Sequence, residues 1–301
     1  VAASALGSYD KKKKEGGMEM ELSLSIASFP LDAETAGEME QLIDGEPEEC
    51  RTLLQNELWQ KPFAKGFAVL AYTDSGELVA CAAAADLVGV NHYEWSAFVT
   101  PDYRRLGLAT ALADGVRHSL EQRGAESELA AFTENEASDA WLMGLGYNRS
   151  FQELQFEAAP LPAYELSEGV EIIPYEEKHL DELAALLHAA FDESVLPVLE
   201  HNLADPERQI YVMRQNGKLI ATATMSMEDR ALWLTALAVS PDTQRSGYGQ
   251  IFLHWARHIA HEKKLERVLI EVEIENRAWP VYEKAGFSKL YTISYWQRPL
   301  Q

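Results

Sequence analysis

The chain repeats itself at a fixed spacing, and this constrains its fold more than any single motif. Gly107 and Gly247 stand 140 positions apart, and the same spacing joins Val99 to Val239, Pro101 to Pro241, Arg105 to Arg245, Arg117 to Arg257 and Gly146 to Gly286. A gapless match from Val99 to Tyr147 marks a duplicated unit. Upstream, "DSGELVACA" matches "QNGKLIATA" at a spacing of 141, so one residue was gained or lost between the two stretches. Two long copies describe paired domains, whereas a solenoid needs at least about three short repeats. A length of 301 residues also exceeds what one core comfortably serves.

The seam is "AAPLPAYELSEG", with two prolines, a glycine and no apolar period. The expected organisation is a first domain over 18–157, a linker over 158–169 and a second domain over 170–301. Residues 1–17 read as a leader or disordered segment. They carry "KKKK" with no apolar signal core behind it, and Met18 and Met20 stand before the first patterned run.

The second copy gives the clearer element order. "VEIIP" is a short strand, and Leu180, Leu183, Leu186, Leu187 and Ala190 recur at helical spacing. A second helix fits Val195 to Leu203, with Pro197 in its tolerant first turn. "QIYVMRQNGKLIATATM" is a hairpin turned at Asn216-Gly217. "ALWLTALAV" is a strand, followed by a long amphipathic helix carrying Ile251, Phe252, Trp255, Ile259 and Leu265. "RVLIEVEI" is the next strand, Arg277 to Ala285 a short helix closed by Gly286, and the chain ends on a strand. The hairpin excludes a purely doubly wound sheet. The fold class is α+β, each copy a mixed, mostly antiparallel sheet flanked by helices.

Charge narrows the partners. Forty-eight acidic against 26 basic residues leave a net charge of -22 and no basic face, so nucleic acid is not an expected partner. An acidic field favours amine ligands, with solubility as the plainer alternative. No apolar run approaches the roughly 18 residues of a membrane span. Cys50 and Cys81 have no CxxC neighbour, which disfavours a thiolate metal site and fits a reducing cytoplasm.

The chemistry-bearing stretch is "QRSGYGQ", Gln244 to Gln250, between the strand ending at Val239 and the long helix. A helix N-terminus offers unpaired N–H groups and partial positive charge to a pyrophosphate. Gly247 and Gly249 let the backbone close on phosphate oxygens, and Arg245 adds a cation. It is neither a Walker loop, which needs a following lysine, nor a dinucleotide fingerprint, since Phe252 stands at the sixth position. An ordinary turn remains the alternative. Downstream, "NRAWPVYEKAGF" places Tyr282 one turn before Gly286. Tyr282 is either a packed helix tyrosine or a proton donor to a leaving thiolate, whose basicity a phenol roughly matches.

"LAVSPDTQRSGYG" followed by "ENRAWPVYEKAGF" resembles the GNAT-type N-acetyltransferase superfamily over most of the second copy, and the first copy resembles it too, so that nearly the whole chain from Met20 onward looks like a tandem pair. The resemblance implies acetyl-CoA as co-substrate and acetyl transfer to a primary amine, on a small molecule or a peptide, in the second domain. It implies that the backbone of Leu237, Ala238 and Val239 holds the pantetheine arm and polarises the thioester carbonyl. Gln244, Arg245, Ser246, Gly247, Tyr248, Gly249 and Gln250 would cradle the pyrophosphate, and Tyr282 would protonate the departing thiolate. Asn276 would fix the cofactor arm, although it stands one position closer to the tyrosine than is usual, with a helix N-cap as its other reading. Some members carry a glutamate early on the strand where this chain has Leu232, Trp233 and Leu234. Glu273, which alternates with Glu271 and Glu275 on the next strand, is the candidate base, with a solvated strand face as the alternative.

The copies differ at the donor. Leu142 stands where the second has Tyr282, and the neighbouring Trp141 and Tyr147 do not occupy that position. The first domain is therefore expected to be non-catalytic, and two tandem copies can stand in for a homodimer. The alternative function is a tandem pseudoenzyme that binds or senses acyl-CoA. His254, His258 and His261 share a helix face, expected to be an exposed face and not a metal site.

Overall fold

Asn216 and Gly217 both sit at positive φ, 50° and 80°, the pair of angles a two-residue hairpin turn requires. They join β9 (Gln209–Gln215) to β10 (Lys218–Glu228), and the two strands pair antiparallel. The computed structural model describes residues 4–15, 18–46, 56–87, 89–191, 195–275 and 279–298. The chain forms two compact units, one of Val1–Phe151 with Ile293–Gln301, the other of Gln152–Thr292. These are not the two contiguous segments expected from the sequence. The end of each copy's last strand belongs to the other copy's unit.

The first unit holds β1 (Ser4–Glu15), β2 (Met18–Ser28), β3 (Lys65–Thr73), β4 (Leu78–Asp86), β5 (His92–Val99) and β6 (Ser127–Thr133). Neighbours pair antiparallel except β5 and β6, which run parallel. Its sheet is completed beside β6 by residues 293–297 of β13 (Ser288–Gln297). Ser4–Glu15, read in the sequence as leader, pairs as a strand with β2. Every residue of β4 is buried, because helices cover both faces. One core contains Val116 and Leu120 of α3 (Leu108–Arg123) and Leu142 of α4 (Glu136–Gly144). The other contains Met39 of α1 (Ala33–Ile43) and Trp59 of α2 (Asn56–Gln60).

The second unit repeats the plan. β8 (Val170–Pro174), β9, β10, β11 (Ala231–Val239) and β12 (Arg267–Glu273) follow in order, antiparallel except for the parallel β11–β12 pair. Beside β12 lies the end of β7 (Asn148–Ala158), paired antiparallel from Glu153 to Ala158. The core on one face is built with α7 (Tyr248–Glu262) and α8 (Trp279–Lys284). The core on the other is built with α5 (Leu180–Ala190) and α6 (Val195–Ala204). The mixed sheets between helices are the expected α+β class. The linker is not a free strap. Leu161 N–H donates to the Arg257 carbonyl at 2.9 Å, Arg257 Nε donates to the Ala159 carbonyl at 2.8 Å, and His258 Nδ1 lies 3.1 Å from the Leu161 carbonyl.

Candidate active site

The site is built where β11 breaks its own alternation. Leu232 and Leu234 pack in the core under α7, but so do Leu237 and Val239, while Ala238 packs under α5. Strict period-2 geometry would put Leu234 and Leu237 on opposite faces. Ala236 resolves this. Its φ is 50°, and the pairing with β10 slips between Thr222 and Thr224, so one extra residue is accommodated as a bulge. The parallel pairing with β12 stops at Leu234–Ile270, and beyond it the two strands share no ladder. The end of β11, still paired with β10 at Ala238 and Val239, thus carries backbone groups outside a ladder on its β12 side.

The chain then passes a short 3-10 turn at Pro241–Thr243 into the glycine loop. Gln244 Nε2 donates back to the Val239 carbonyl at 3.3 Å, Arg245 adopts φ 65°, and Gly247, at φ 87°, is the N-cap of α7. Gln244 through Gly247 are exposed. The first helical bond runs from Ile251 N–H to the Gly247 carbonyl at 3.0 Å, so the amides of Tyr248, Gly249 and Gln250 precede the ladder, and no side chain caps them. Two left-handed positions thus stand close together at the positive end of a 15-residue helix.

Gly249 marks where three elements meet. A Cβ there would lie 3.6 Å from Val281 of α8 and 3.8 Å from Val239 of β11. Next to Val281 stands Tyr282, 6% exposed, its ring 5.8 Å from Phe156 and 6.4 Å from Phe287. Burial pushes the phenol up to about 12. Its hydroxyl makes no hydrogen bond among the described residues. A phenol raised to about 12 stays neutral at ordinary pH.

Of the expected site residues, Leu237, Val239, Gln244 to Gln250 and Tyr282 gather at this end of α7. Glu273 lies elsewhere. Val268, Ile270 and Val272 fill the α7 side of β12, so Glu273, exposed at the strand's end, points to the α5 side. Asn276 lies outside the described residues. The histidine face of α7 is not simply exposed. His254 meets the Tyr164 ring at 5.7 Å and His258 holds the linker, because the linker packs along the helix. No cluster of three metal-ligating side chains occurs among the described residues.

Two features escape a reading of the sequence: the Ala236 bulge and the packing of Val281 on Gly249. The bulge did leave a trace. Registers with β6 and β12 make Trp95 the counterpart of Leu234, and registers with β4 and β10 make Val99 that of Val239. β11 therefore holds one more residue than β5 over this stretch, while the connection before it is two shorter. The slip in repeat spacing from 141 to 140 is the net of those two changes.

The sequence pattern of the acetyltransferase (GNAT) family matches residues 35–147 and again residues 174–287. No curated protein matches the chain. Among solved structures, a GCN5-related N-acetyltransferase from Sphaerobacter thermophilus superposes with a TM-score of 0.68 at 19% identity, over 91% of this chain and 96% of that one. A tandem GNAT protein from the clavulanic acid biosynthesis pathway gives 0.67 at 13% identity, over 92% and 100%. A fungal GCN5-related glucosamine N-acetyltransferase region gives 0.66 at 14% identity, over 91% of this chain and 38% of that one. These likenesses speak to fold alone. The double match of the family pattern, over both copies and most of the chain, decides the membership: this chain belongs to the acetyltransferase (GNAT) family, as a tandem two-domain member.

Proposed function

We propose that the second unit transfers an acetyl group from acetyl-CoA to a primary amine. The observation that carries this is the convergence at one end of α7 of an uncapped helix N-terminus, the β11 bulge and a neutral phenol. The residues fit the co-substrate. The exposed loop with its αL positions at Arg245 and Gly247 offers N–H donors to a pyrophosphate. The freed backbone of Leu237 to Val239 suits an amide-bearing arm, and Val239 and Val281 offer it apolar walls. Acetyl-CoA supplies the activated acyl carbon and the thiolate leaving group.

The protein's own groups handle charge and protons. Backbone donors near Ala236 stabilise charge developing on the thioester oxygen. Tyr282 gives its phenolic proton to the departing sulfur. Glu273, exposed at the end of β12, is the carboxylate proposed to take the amine proton, directly or through water. The acceptor is a small-molecule or peptide amine, and the acidic surface favours its approach.

Tyr282→Phe is the deciding variant. CoA titration calorimetry should be unchanged, while thiol release with an amine panel falls by about 10²-fold or more. Turnover equal to wild type at every pH would reject the donor role. CoA binding without turnover on any amine would support a sensing pseudoenzyme instead.

A further inference from the structure

The first unit keeps the loop but has filled the space beside it. Arg105 and Gly107 have φ of 63° and 84°, against 65° and 87° at Arg245 and Gly247, so the loop backbone does not distinguish the copies. The strand before the loop and the helix packed beside it do. β5 pairs with β4 without interruption from Val99–Ala80 to Glu94–Ala85, so it has no bulge, although its ladder with β6 ends at Trp95–Ala130 just as that of β11 with β12 ends at Leu234–Ile270. On the α3 side, Tyr93, Trp95, Ala97 and Val99 alternate regularly into one core. Above them four aromatic rings interlock. Trp95 meets Phe132 at 5.5 Å, Tyr147 at 6.0 Å and Trp141 at 6.2 Å, and Phe132 meets Trp141 at 5.7 Å, all edge to face. The matching positions in the second unit are Leu234, Val272, Phe287 and Val281. Two indoles and a phenyl ring thus stand where the second copy has a leucine and two valines.

Trp141 also crosses the gap. Its Nε1 lies 3.3 Å from Thr110 Oγ1, which ties α4 to the first turn of α3. In the second unit the same approach is made by Val281 against Gly249, where a Cβ would still have ordinary contact distance. An arm threading from the loop toward the end of β11 passes a valine and a glycine there. In the first unit it meets an indole hydrogen-bonded in place.

We propose that the first unit holds no acyl-CoA because its own aromatic cluster occupies the cleft, with Trp141 as the blocking side chain, and that each chain therefore binds one acyl-CoA. This rests on the reading that the second unit is the acyl-CoA site, but the two can fail separately. The test is calorimetric titration of the full chain with CoA, combined with hydrogen-exchange mass spectrometry with and without CoA. Val281→Trp, which installs the first unit's blocking residue in the second, is titrated beside it.

The wild type should bind one equivalent, protect amides at Gln244–Gln250 and leave Arg104–Thr110 unchanged. The variant should bind none. Two equivalents, new protection at Arg104–Thr110, or one equivalent surviving Val281→Trp would each overturn the proposal. No binding by the wild type would refute the second unit as the site, while bearing out an empty first unit. If Val281→Trp does not fold, the wild-type stoichiometry and exchange map decide alone.

Discussion

Trp296→Ala should destabilise the unit built mostly from the other end of the sequence. Trp296 is 2% exposed in β13, opposite Ala130 of β6, and it packs in the core that holds Leu112, Val116 and Leu120 of α3. The Arg149 guanidinium sits 5.0 Å from the ring centre. A buried Trp covers about 150–250 Å², and Trp-to-Ala in cores costs about 3–5 kcal/mol. The part-exposed cation adds about 0.5–1 kcal/mol. The indole Nε1 has no hydrogen-bond partner among the described residues, so truncation strands no acceptor there and the loss is packing and the cation contact. A loss near 4 kcal/mol is a large share of a domain's typical 5–15 kcal/mol.

Native-state hydrogen exchange localises that loss. At about 1.4 kcal/mol per tenfold, the slowest amides of β3 to β6 and α3 should exchange roughly 10³-fold faster. Those of α7 and β12 should hold. Trp255→Ala is the mirror control. That ring meets Tyr211 at 4.9 Å and Phe252 at 5.6 Å, and its loss should expose α7 and β12 first. If Trp296→Ala instead frees amides within 152–292 and spares β3 to β6, the assignment of residues 293–297 to the first unit's sheet is wrong.

Three further outcomes are expected. Because burial holds the Tyr282 phenol up to about 12, it stays protonated at working pH, and kcat should show no alkaline fall from this group below about pH 11; a descending limb near pH 10 would mean an unperturbed donor. The same shift makes stability alkali-sensitive. Folded pKa values for Tyr282 and the buried Cys81 thiol, each about 12, exceed their unfolded values, so their contribution is complete below those unfolded values and is lost as pH rises toward 12, which thermal melts across that range would register. Gly247→Ala forces a Cβ into φ 87° with nothing near enough to clash, so it should cost about 1 kcal/mol in urea titration and weaken CoA binding more than it weakens the fold.

Local signals were readable because local chemistry set them. The Asn216-Gly217 turn, the helical spacing from Leu180 and the glycine before α7 each depend on a few adjacent residues. The destination of β7 and β13 does not. Residues 153–158 and 293–297 have ordinary strand composition, and which neighbour they pair with is decided by distant edges. The linker escaped for a related reason. "AAPLPAYELSEG" has no period because it packs through carbonyls and single side chains on Arg257, His254 and His258, and not through a repeating face. At the site, the loop and Tyr282 were legible from spacing. Ala236 was not, since alanine is an uncommon residue at positive φ.

That unlikely alanine makes the most direct test of what separates the copies. Both loops hold an arginine at positive φ, a cost of about 1–2 kcal/mol that each copy bears whatever it binds. The loop is therefore required by the turn from strand to helix, and its presence in a copy says little about ligand. The bulge is different, because β11 has one and β5 does not. Deleting Ala236 should give β11 the register of β5, with continuous pairing to β10 and no left-handed alanine in the strand. Strain of about 1–2 kcal/mol would be relieved, so thermal stability should be kept or raised. Acetyl transfer should be lost even though the loop, Tyr282 and Glu273 are untouched, because the backbone that the bulge at Ala236 turns out of the ladder with β10 would be drawn back into it. A deletion variant that folds and still turns over would show that loop and phenol suffice, and that the extra residue in β11 is incidental to the chemistry.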